Sequence, residues 1–295
     1  MDVEMKIQEP INKVTRKQKL KNYSKHPGSF LLALLTKLAI LLTVLALGFI
    51  LIYILVKGIP NLSTDLFALK YTTENVSMLP AIINTLMITL LSLCIAGPIG
   101  IFSAIYLVEY AKKGNKLVEV VRVTAETLTG IPSIVYGLFG MLFFVTTLKC
   151  GYSILAGALT LSIMVLPVIM RTTEEALLAV PNSFREGSFG LGAGKLRTIF
   201  KIVLPSAVPG ILAGVILAIG RIVGETAALI YTAGTVAEIP SSIMSSGRTL
   251  AIHMYSLSKE GLYTNQAYAT AVVLLIVVVL INMLSNFVAK KFTKK

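Results

Sequence analysis

Residues 171–205 read RTTEEALLAVPNSFREGSFGLGAGKLRTIFKIVLP and separate two apolar runs, at about 153–170 and 207–230. A connection of this length in a compact protein is usually either functional or disordered. This one carries the signals of ordered structure, because Pro181-Asn182-Ser183 can end one helix and cap the next, and a glycine-rich turn follows. We therefore predict a folded loop that docks against another protein rather than a flexible tether.

The glycine-rich part of this loop, GLGAG, does not have the spacing of a nucleotide site. A P-loop requires G-x-x-x-x-G-K-[ST], whereas Phe189 stands five positions before Gly194 and Leu196 follows Lys195. Two cysteines and two histidines, all far apart, give neither a metal-ligand pattern nor a disulfide framework. We expect no cofactor and no metal in this chain, so any ATP that drives it is bound by a partner.

Outside the loop, the chain has the composition of a membrane protein. Of its 295 residues, 55% are hydrophobic and 14% charged, and the mean hydropathy is +0.82. Six apolar runs are long enough to cross about 30 Å of hydrocarbon, at about 38–56, 82–107, 128–148, 153–170, 207–230 and 268–289. The predicted fold class is all-α, with six transmembrane helices in a domain over residues 29–295 that follows a basic tail over residues 1–28.

Basic residues border these runs unevenly. Twenty of the 27 Lys and Arg residues fall in the tail, two alternate loops and the C-terminus, whereas five fall in the remaining connections. By the positive-inside rule, both termini and the loop 171–205 face the cytoplasm, and segments 57–79 and 231–266 face outside. The formal charge of +13 therefore indicates membrane topology and contact with anionic lipid rather than nucleic-acid binding.

The loop also carries the signature of a known family. Permease subunits of bacterial binding-protein-dependent ABC importers have E-A-A, three residues, G, nine residues and I-x-L-P; here Glu186-Gly187-Ser188, Gly192 and Ile202-Val203-Leu204-Pro205 have the same spacing. The two replaced alanines keep small side chains but lower helix propensity. The resemblance implies the MetI-like fold of type I importers. It also implies a coupling helix on an ATPase subunit, carried by Glu186, Gly187, Ser188, Gly192, Ile202, Leu204 and Pro205.

Further stretches resemble the phosphate-importer branch of that family. They are TGIPSIVYGLFG (129–140), RTTEEAL (171–177) and GRIVGETAAL (220–229), and the region around IYTAG (230–234) resembles the PstA type. The resemblance implies a transport subunit without enzymatic activity of its own, embedded in the cell membrane. It further implies a PstC-like second permease, two PstB-like ATPase subunits, an external PstS-like phosphate-binding protein and phosphate as the cargo.

GRIVGETAAL (220–229) places two full charges within the fifth apolar run. On a continuous helix, Arg221 and Glu225 lie one turn apart on one face, which is extended by Gly214, Ala218, Ala228 and Thr232. Each charge costs about 2.5 to 3.5 kcal/mol near the bilayer centre, so we expect this face to line a path. Arg221 then contacts phosphate, Glu225 orients the guanidinium, and Thr232 continues the stripe. A buried ion pair that fixes helix packing or subunit register is the alternative.

Small residues in the same run also predict close helix contacts. Gly210 with Gly214, and Gly220 with Gly224, both have the G-x-x-x-G spacing that lets helices approach closely.

Two other functions remain open from the residues. One is a permease for another oxyanion such as sulfate or molybdate, because an arginine alone does not distinguish these from phosphate. The other is a self-sufficient secondary transporter, which usually shows repeat symmetry and its own ion-coupling groups. No clear repeat is visible, and Glu225 is the only carboxylate deep within a run.

The orientation is testable by cysteine labelling in a background that lacks Cys94 and Cys150. Single cysteines at Asn61 and Ser246 should react with a membrane-impermeant thiol reagent in intact cells, whereas one at Asn115 should react only after permeabilisation. Equal labelling at Asn115 and Asn61 in intact cells would overturn the assigned orientation.

Overall fold

The computed structural model describes residues 27–112 and 114–293, with side chains described up to residue 287. The described part is helical and contains no β-strand. The predicted basic tail, residues 1–28, falls almost wholly outside the described residues. The chain forms a first unit up to Ile54 and a second compact unit from Leu55 onward.

Most helices follow one another with short connections, but residues 59–78 and 231–249 form two longer ones. The helices are α1 Pro27–Gly58, α2 Leu79–Ile105, α3 Lys116–Thr129, α4 Ser133–Gly140, α5 Ile154–Leu178, α6 Asn182–Gly190, α7 Lys195–Thr198, α8 Leu204–Val223, α9 Ala227–Ile230, α10 Leu250–Glu260 and α11 Thr264–Thr293. Wider π-helical turns extend α2 over Tyr106–Tyr110 and α4 over Met141–Thr147, and one joins α7 to α8 over Ile199–Val203.

Five helices in the described part are long and apolar enough to cross a membrane. A bent pair of helices makes a sixth crossing if the two are counted as a single span. The predicted runs at about 38–56, 82–107, 153–170 and 268–289 each correspond to one long helix: α1, α2 with its π-helical extension, α5 with its cap Ser153, and α11 respectively.

The third predicted run, 128–148, is not a single straight helix. The structure has α3 over Lys116–Thr129 and a second helix over Ser133–Thr147, bent by 104°. Pro132 explains the break, because its ring removes a backbone donor and disfavours helical geometry at the preceding residue. The pair also starts well before residue 128, since the Asn115 side chain caps α3 by accepting from the Leu117 N–H at 3.0 Å.

The fifth predicted run, 207–230, is also corrected. The helix runs from Lys195 to Val223 and then breaks. A separate single turn begins at Ala227. Glycine at 224 is a weak helix former, and the Glu225 carboxylate accepts from the Ala228 N–H at 3.0 Å, which satisfies a backbone donor left free at the start of α9.

The loop 171–205 is correspondingly shorter than the sequence indicated. Helix α5 continues to Leu178, and α7 begins at Lys195. The part outside the two long helices is therefore 179–194, which holds α6.

The core of the second unit forms where α2, α5 and α8 meet. Buried side chains from all three helices make one apolar cluster: Ile88, Leu161, Met164, Val165, Ile169, Ala218 and Ile222. Helices α5 and α8 approach closely because α8 presents glycine. A β-carbon at Gly210 would lie 2.6 Å from the Ala176 β-carbon, and one at Gly214 would overlap Thr172.

The first G-x-x-x-G prediction is thus confirmed. The second pair, Gly220 and Gly224, makes no close helix contact within the described chain. A β-carbon at Gly220 would meet nothing within 4 Å, and one at Gly224 would meet only the Gly220 carbonyl.

Helix α10 buries a histidine beside a charged side chain. The Arg248 guanidinium carbon lies 4.6 Å from the centre of the Tyr71 ring, and His253 meets the same ring edge-on at 6.2 Å. His253 is fully buried. Burial, and secondarily the Arg248 charge, lower the pKa of His253 from 6.5 to about 3, against a smaller opposing effect of the Val76 backbone. His253 is therefore neutral at neutral pH.

This buried histidine should make the fold sensitive to acid. The unfolded chain binds more protons than the folded chain from about pH 6.5 down to about pH 3, so stability falls as the pH falls through this window, by up to about 1.4 kcal/mol per pH unit. His253→Phe keeps an aromatic ring beside Tyr71 and removes the titration. Its unfolding temperature in detergent should fall less between pH 6.5 and 4 than that of the wild type.

Tyr255→Phe, an exposed change on the same helix, is the control and should behave as the wild type does. Identical acid sensitivity in His253→Phe and the wild type would show that His253 is not the titrating group.

Candidate translocation and coupling sites

Arg221 lies in the last turn of α8 and is half-buried. It lines an open groove of about 670 Å³ between α5, α8 and α11. The other lining residues are Val168, Ile216, Leu217, Gly220, Asn282 and Asn286. Within the described residues, the guanidinium has no ion pair and no hydrogen bond to another side chain. The groove therefore holds a positive charge that this part of the chain does not neutralise.

Glu225 does not hold the Arg221 guanidinium, contrary to the predicted pairing. No ion pair joins the two residues in the described structure, and Glu225 is buried and bound to the Ala228 backbone N–H. The prediction assumed one continuous helix. Because α8 ends at Val223, Glu225 lies outside it and leaves the face that carries Arg221.

Thr232 is fully buried in the core rather than placed in the groove. Its hydroxyl donates to the Ala228 carbonyl at 2.9 Å. A β-carbon added at Gly140 would lie only 2.7 Å from the Thr232 methyl group. The three residues predicted to line the path thus have separate surroundings: Arg221 the groove, Glu225 the helix break and Thr232 the core.

The coupling motif forms a tight helical hairpin from α6 and α7. Gly192 has a φ of +81°. It ends α6 with two paired hydrogen bonds, from the Gly192 N–H to the Phe189 carbonyl at 2.9 Å and from the Ala193 N–H to the Ser188 carbonyl at 3.1 Å. This is the Schellman arrangement, in which a residue with positive φ satisfies the last carbonyls of a helix. The turn predicted at Gly192 is present.

A buried hydroxyl pair closes this hairpin. Ser188 and Thr198 share a hydrogen bond of 2.8 Å, and both are nearly inaccessible to solvent. Glu186 and Gly187, on the same helix, are exposed. Ser188 therefore holds α6 against α7, while its two neighbours in the motif face outward.

The end of the motif, Ile202 to Pro205, lies where the hairpin enters the long helix. Pro205 has no backbone donor and crowds the preceding turn. The π-helical turn Ile199–Val203 accommodates this, so the helix continues from Lys195 to Val223. Ile202 and Leu204 are half-buried and Pro205 is exposed.

Arg185 anchors this hairpin, a role that the sequence did not predict. Its Nη2 and Nε donate to Glu109 Oε1 at 2.7 and 3.1 Å, and it also donates to the carbonyls of Val180 and Leu177 at 2.8 and 3.0 Å. Both charged side chains are largely buried, with 15% and 9% exposed. The contact joins α6 to the π-helical end of α2 and the end of α5. Its partners are 76 residues apart, so spacing gave no signal for it.

A second charged network joins α3 to α5. Arg122 contacts Glu174 at 2.5 Å, and Arg171 contacts Glu126 at 3.4 Å and Glu175 at 3.3 Å. Of the charged residues in RTTEEAL (171–177), Arg171 and Glu174 thus have partners on the first arm of the bent pair, and Glu175 pairs with Arg171 on its own helix.

The tip of the hairpin exposes large apolar side chains. Leu191 is 91% exposed. Leu196, Phe184 and Phe189 of the same hairpin are 63%, 49% and 47% exposed. An apolar cluster of this kind on a polar loop is typical of a protein contact surface. The described residues contain no group of His, Cys, Asp and Glu that could hold a metal ion.

Comparison with known proteins gives consistent relatives over most of the chain. A phosphate transport system permease protein PstA of Pasteurella multocida is 38% identical over 270 residues, covering 87% of this chain and 92% of the relative. A probable ABC transporter permease protein, YqgI of Bacillus subtilis, is 32% identical over 261 residues, covering 82% and 88%.

Solved structures show the same fold. A chain of a bacterial alginate ABC transporter superposes with a TM-score of 0.67 at 17% identity, covering 92% of this chain and 98% of that one. A chain of the MetNI methionine ABC transporter gives 0.56 at 20% identity, covering 82% and 98%. The model of the family described as binding-protein-dependent transport system inner membrane component matches residues 96–295. The chain therefore belongs to the binding-protein-dependent transport system inner membrane component family.

Proposed function

We propose that this chain is a permease subunit of an ATP-driven importer of inorganic phosphate and that Arg221 contacts the anion as it crosses the membrane. The observation that carries the proposal is the unpaired Arg221 in an open groove between membrane helices. The 38% identical relative is named as a phosphate transport permease, which supports phosphate over sulfate or molybdate as the cargo.

The groove forms only part of a path in this chain. The groove lined by α5, α8 and α11 is open rather than enclosed, so a second permease subunit, PstC-like by resemblance, would close it. An external PstS-like protein would deliver phosphate to segment 231–266. Both termini and the coupling hairpin would then face the cytoplasm, where two PstB-like ATPase subunits bind and hydrolyse ATP.

Arg221 suits transient anion contact for two reasons. Its planar guanidinium presents paired donors that match two oxygens of an oxyanion. It also lacks an acidic partner in the described chain, so an arriving anion does not have to displace one. A path contact should nevertheless bind weakly, because an ion held tightly would not leave.

Glu225 acts at a different point in this mechanism. Its carboxylate caps the single turn α9 after the helix break, which fixes the chain where it turns from α8 into the core. Its expected contribution is the shape of the break rather than the charge of the groove.

The coupling hairpin would transmit the movement of the ATPase. Its exposed apolar tip is suited to a cleft of the ATPase, while the Arg185–Glu109 contact fixes its base to α2 and α5. A displacement of the tip then moves the ends of two core helices together.

The coupling role predicts a specific effect at Gly192. Gly192→Val places a β-branched residue at a φ of +81°, which costs on the order of 1–2 kcal/mol or more and distorts the turn. In the assembled complex with binding protein, phosphate-stimulated ATP hydrolysis should fall about tenfold or more, with the complex still present in the membrane.

Gly190→Val is the matched control. Gly190 lies two residues earlier on the same hairpin without a positive φ, so stimulation should persist. Normal stimulation in Gly192→Val would remove the coupling assignment.

The path role predicts an order among variants at Arg221 and Glu225. Arg221→Lys keeps the charge without the planar fork and should retain partial phosphate uptake, whereas Arg221→Gln should abolish uptake. Glu225→Gln keeps an amide oxygen that can accept from the Ala228 N–H and should retain most uptake. Uptake and complex yield are measured on the same membranes.

The double variant Arg221→Gln with Glu225→Gln separates the path from a packing role. We expect it to transport no better than Arg221→Gln, because the two residues form no pair in the structure. Recovery of both assembly and uptake in the double variant would show that a buried ion pair, and not anion contact, explains the charges.

A further inference from the structure

We propose that Asn282 and Asn286 of α11 are cargo-contacting residues, which complete the anion site opposite Arg221. The inference rests on the proposed function and extends it by naming the neutral ligands of the phosphate. The groove then combines one cationic side chain from α8 with two carboxamides from α11.

The inference rests first on the position of the two asparagines. They are four residues apart on one helix and therefore share a face. Both line the groove that contains Arg221. Asn282 is half-buried and Asn286 is exposed.

Their surroundings make these amides unusual. From Ala271 to Ile281, every residue of α11 is apolar. A carboxamide placed in an apolar medium without a hydrogen bond costs roughly 2–7 kcal/mol, depending on the reference medium. Neither amide has a hydrogen-bond partner among the described residues. Polar residues within membrane helices usually face a partner or an aqueous path, and both asparagines line this groove.

The chemistry of the three groups is complementary. Arginine has only donors, whereas a carboxamide has two N–H donors and an acceptor oxygen. Phosphate at neutral pH keeps at least one proton and so presents an O–H donor as well as acceptor oxygens. The amide oxygens can therefore accept a hydrogen bond from the phosphate O–H, which Arg221 cannot do because it has no acceptor. They also add no charge that would hold the ion too tightly.

The test compares phosphate uptake, complex yield and phosphate-stimulated ATP hydrolysis for variants of the full complex with its binding protein. In the double variant Asn282→Leu with Asn286→Leu, we expect uptake per assembled complex to fall about tenfold. Stimulated hydrolysis should continue, so less phosphate is imported per ATP. Ser285→Ala removes a polar group from the same helix outside the groove lining and should leave all three quantities unchanged.

Asn282→Asp distinguishes cargo contact from packing. Aspartate has nearly the shape of asparagine, so a packing role predicts that it is tolerated better than leucine. In a cargo site it places a negative charge beside Arg221 and repels phosphate, so its uptake should be lower than that of Asn282→Leu at equal complex yield.

Two results would overturn the inference. One is uptake in the double leucine variant equal to that of Ser285→Ala, and the other is a loss of uptake that only follows the loss of assembled complex. These outcomes are separate from failure of the proposed function, because phosphate uptake that survives in Arg221→Gln would refute the path itself. Loss of uptake in Arg221→Gln together with normal uptake in the leucine variants would refute only the role of the asparagines.

Discussion

The break after Val223 is the constraint on which the groove depends. In an apolar interior, every backbone N–H and carbonyl must find a partner within the protein, so a helix can end there only if its free groups are satisfied. Glu225 meets part of this requirement by accepting from the Ala228 N–H. The carboxylate is thereby committed to the backbone. As a consequence, Arg221 keeps its charge unpaired and the following residues, including Thr232, turn into the core.

The coupling hairpin depends on a comparable use of polar groups. Ser188 and Thr198 close it internally, and Arg185 joins it to Glu109 and to two backbone carbonyls. Charge-assisted hydrogen bonds of this kind are about twice as strong as neutral ones, and removing one partner leaves the other charge buried and unpaired. The hairpin is therefore held to α2 and α5 at its base, while its apolar tip stays exposed.

The sequence predicted the elements whose signals are local. Apolar runs located the long helices, the spacing of Gly210 and Gly214 predicted a close helix contact, and Gly192 predicted a turn. It failed where the outcome depends on residues far apart or on a competing local interaction. The pairing of Arg185 with Glu109 needs the folded chain. The separation of Arg221 from Glu225 needed the recognition that Gly224 ends the helix, a signal that the apolar character of the run concealed.

The asparagines of α11 are a further case in which the sequence alone could not assign residues to the site. Their polarity is visible in the sequence, but α11 and α8 are distant along the chain, and only the fold brings the amides to the groove of Arg221. The charged residues of this chain then divide by function. Those with partners, such as Arg122 with Glu174 and Arg185 with Glu109, hold helices together. Arg221 has no such partner among the described residues, and the amides that line the same groove carry no competing charge. Under the proposed function, a groove built in this way would attract an anion and release it more readily than a groove with a fixed Arg–Glu pair.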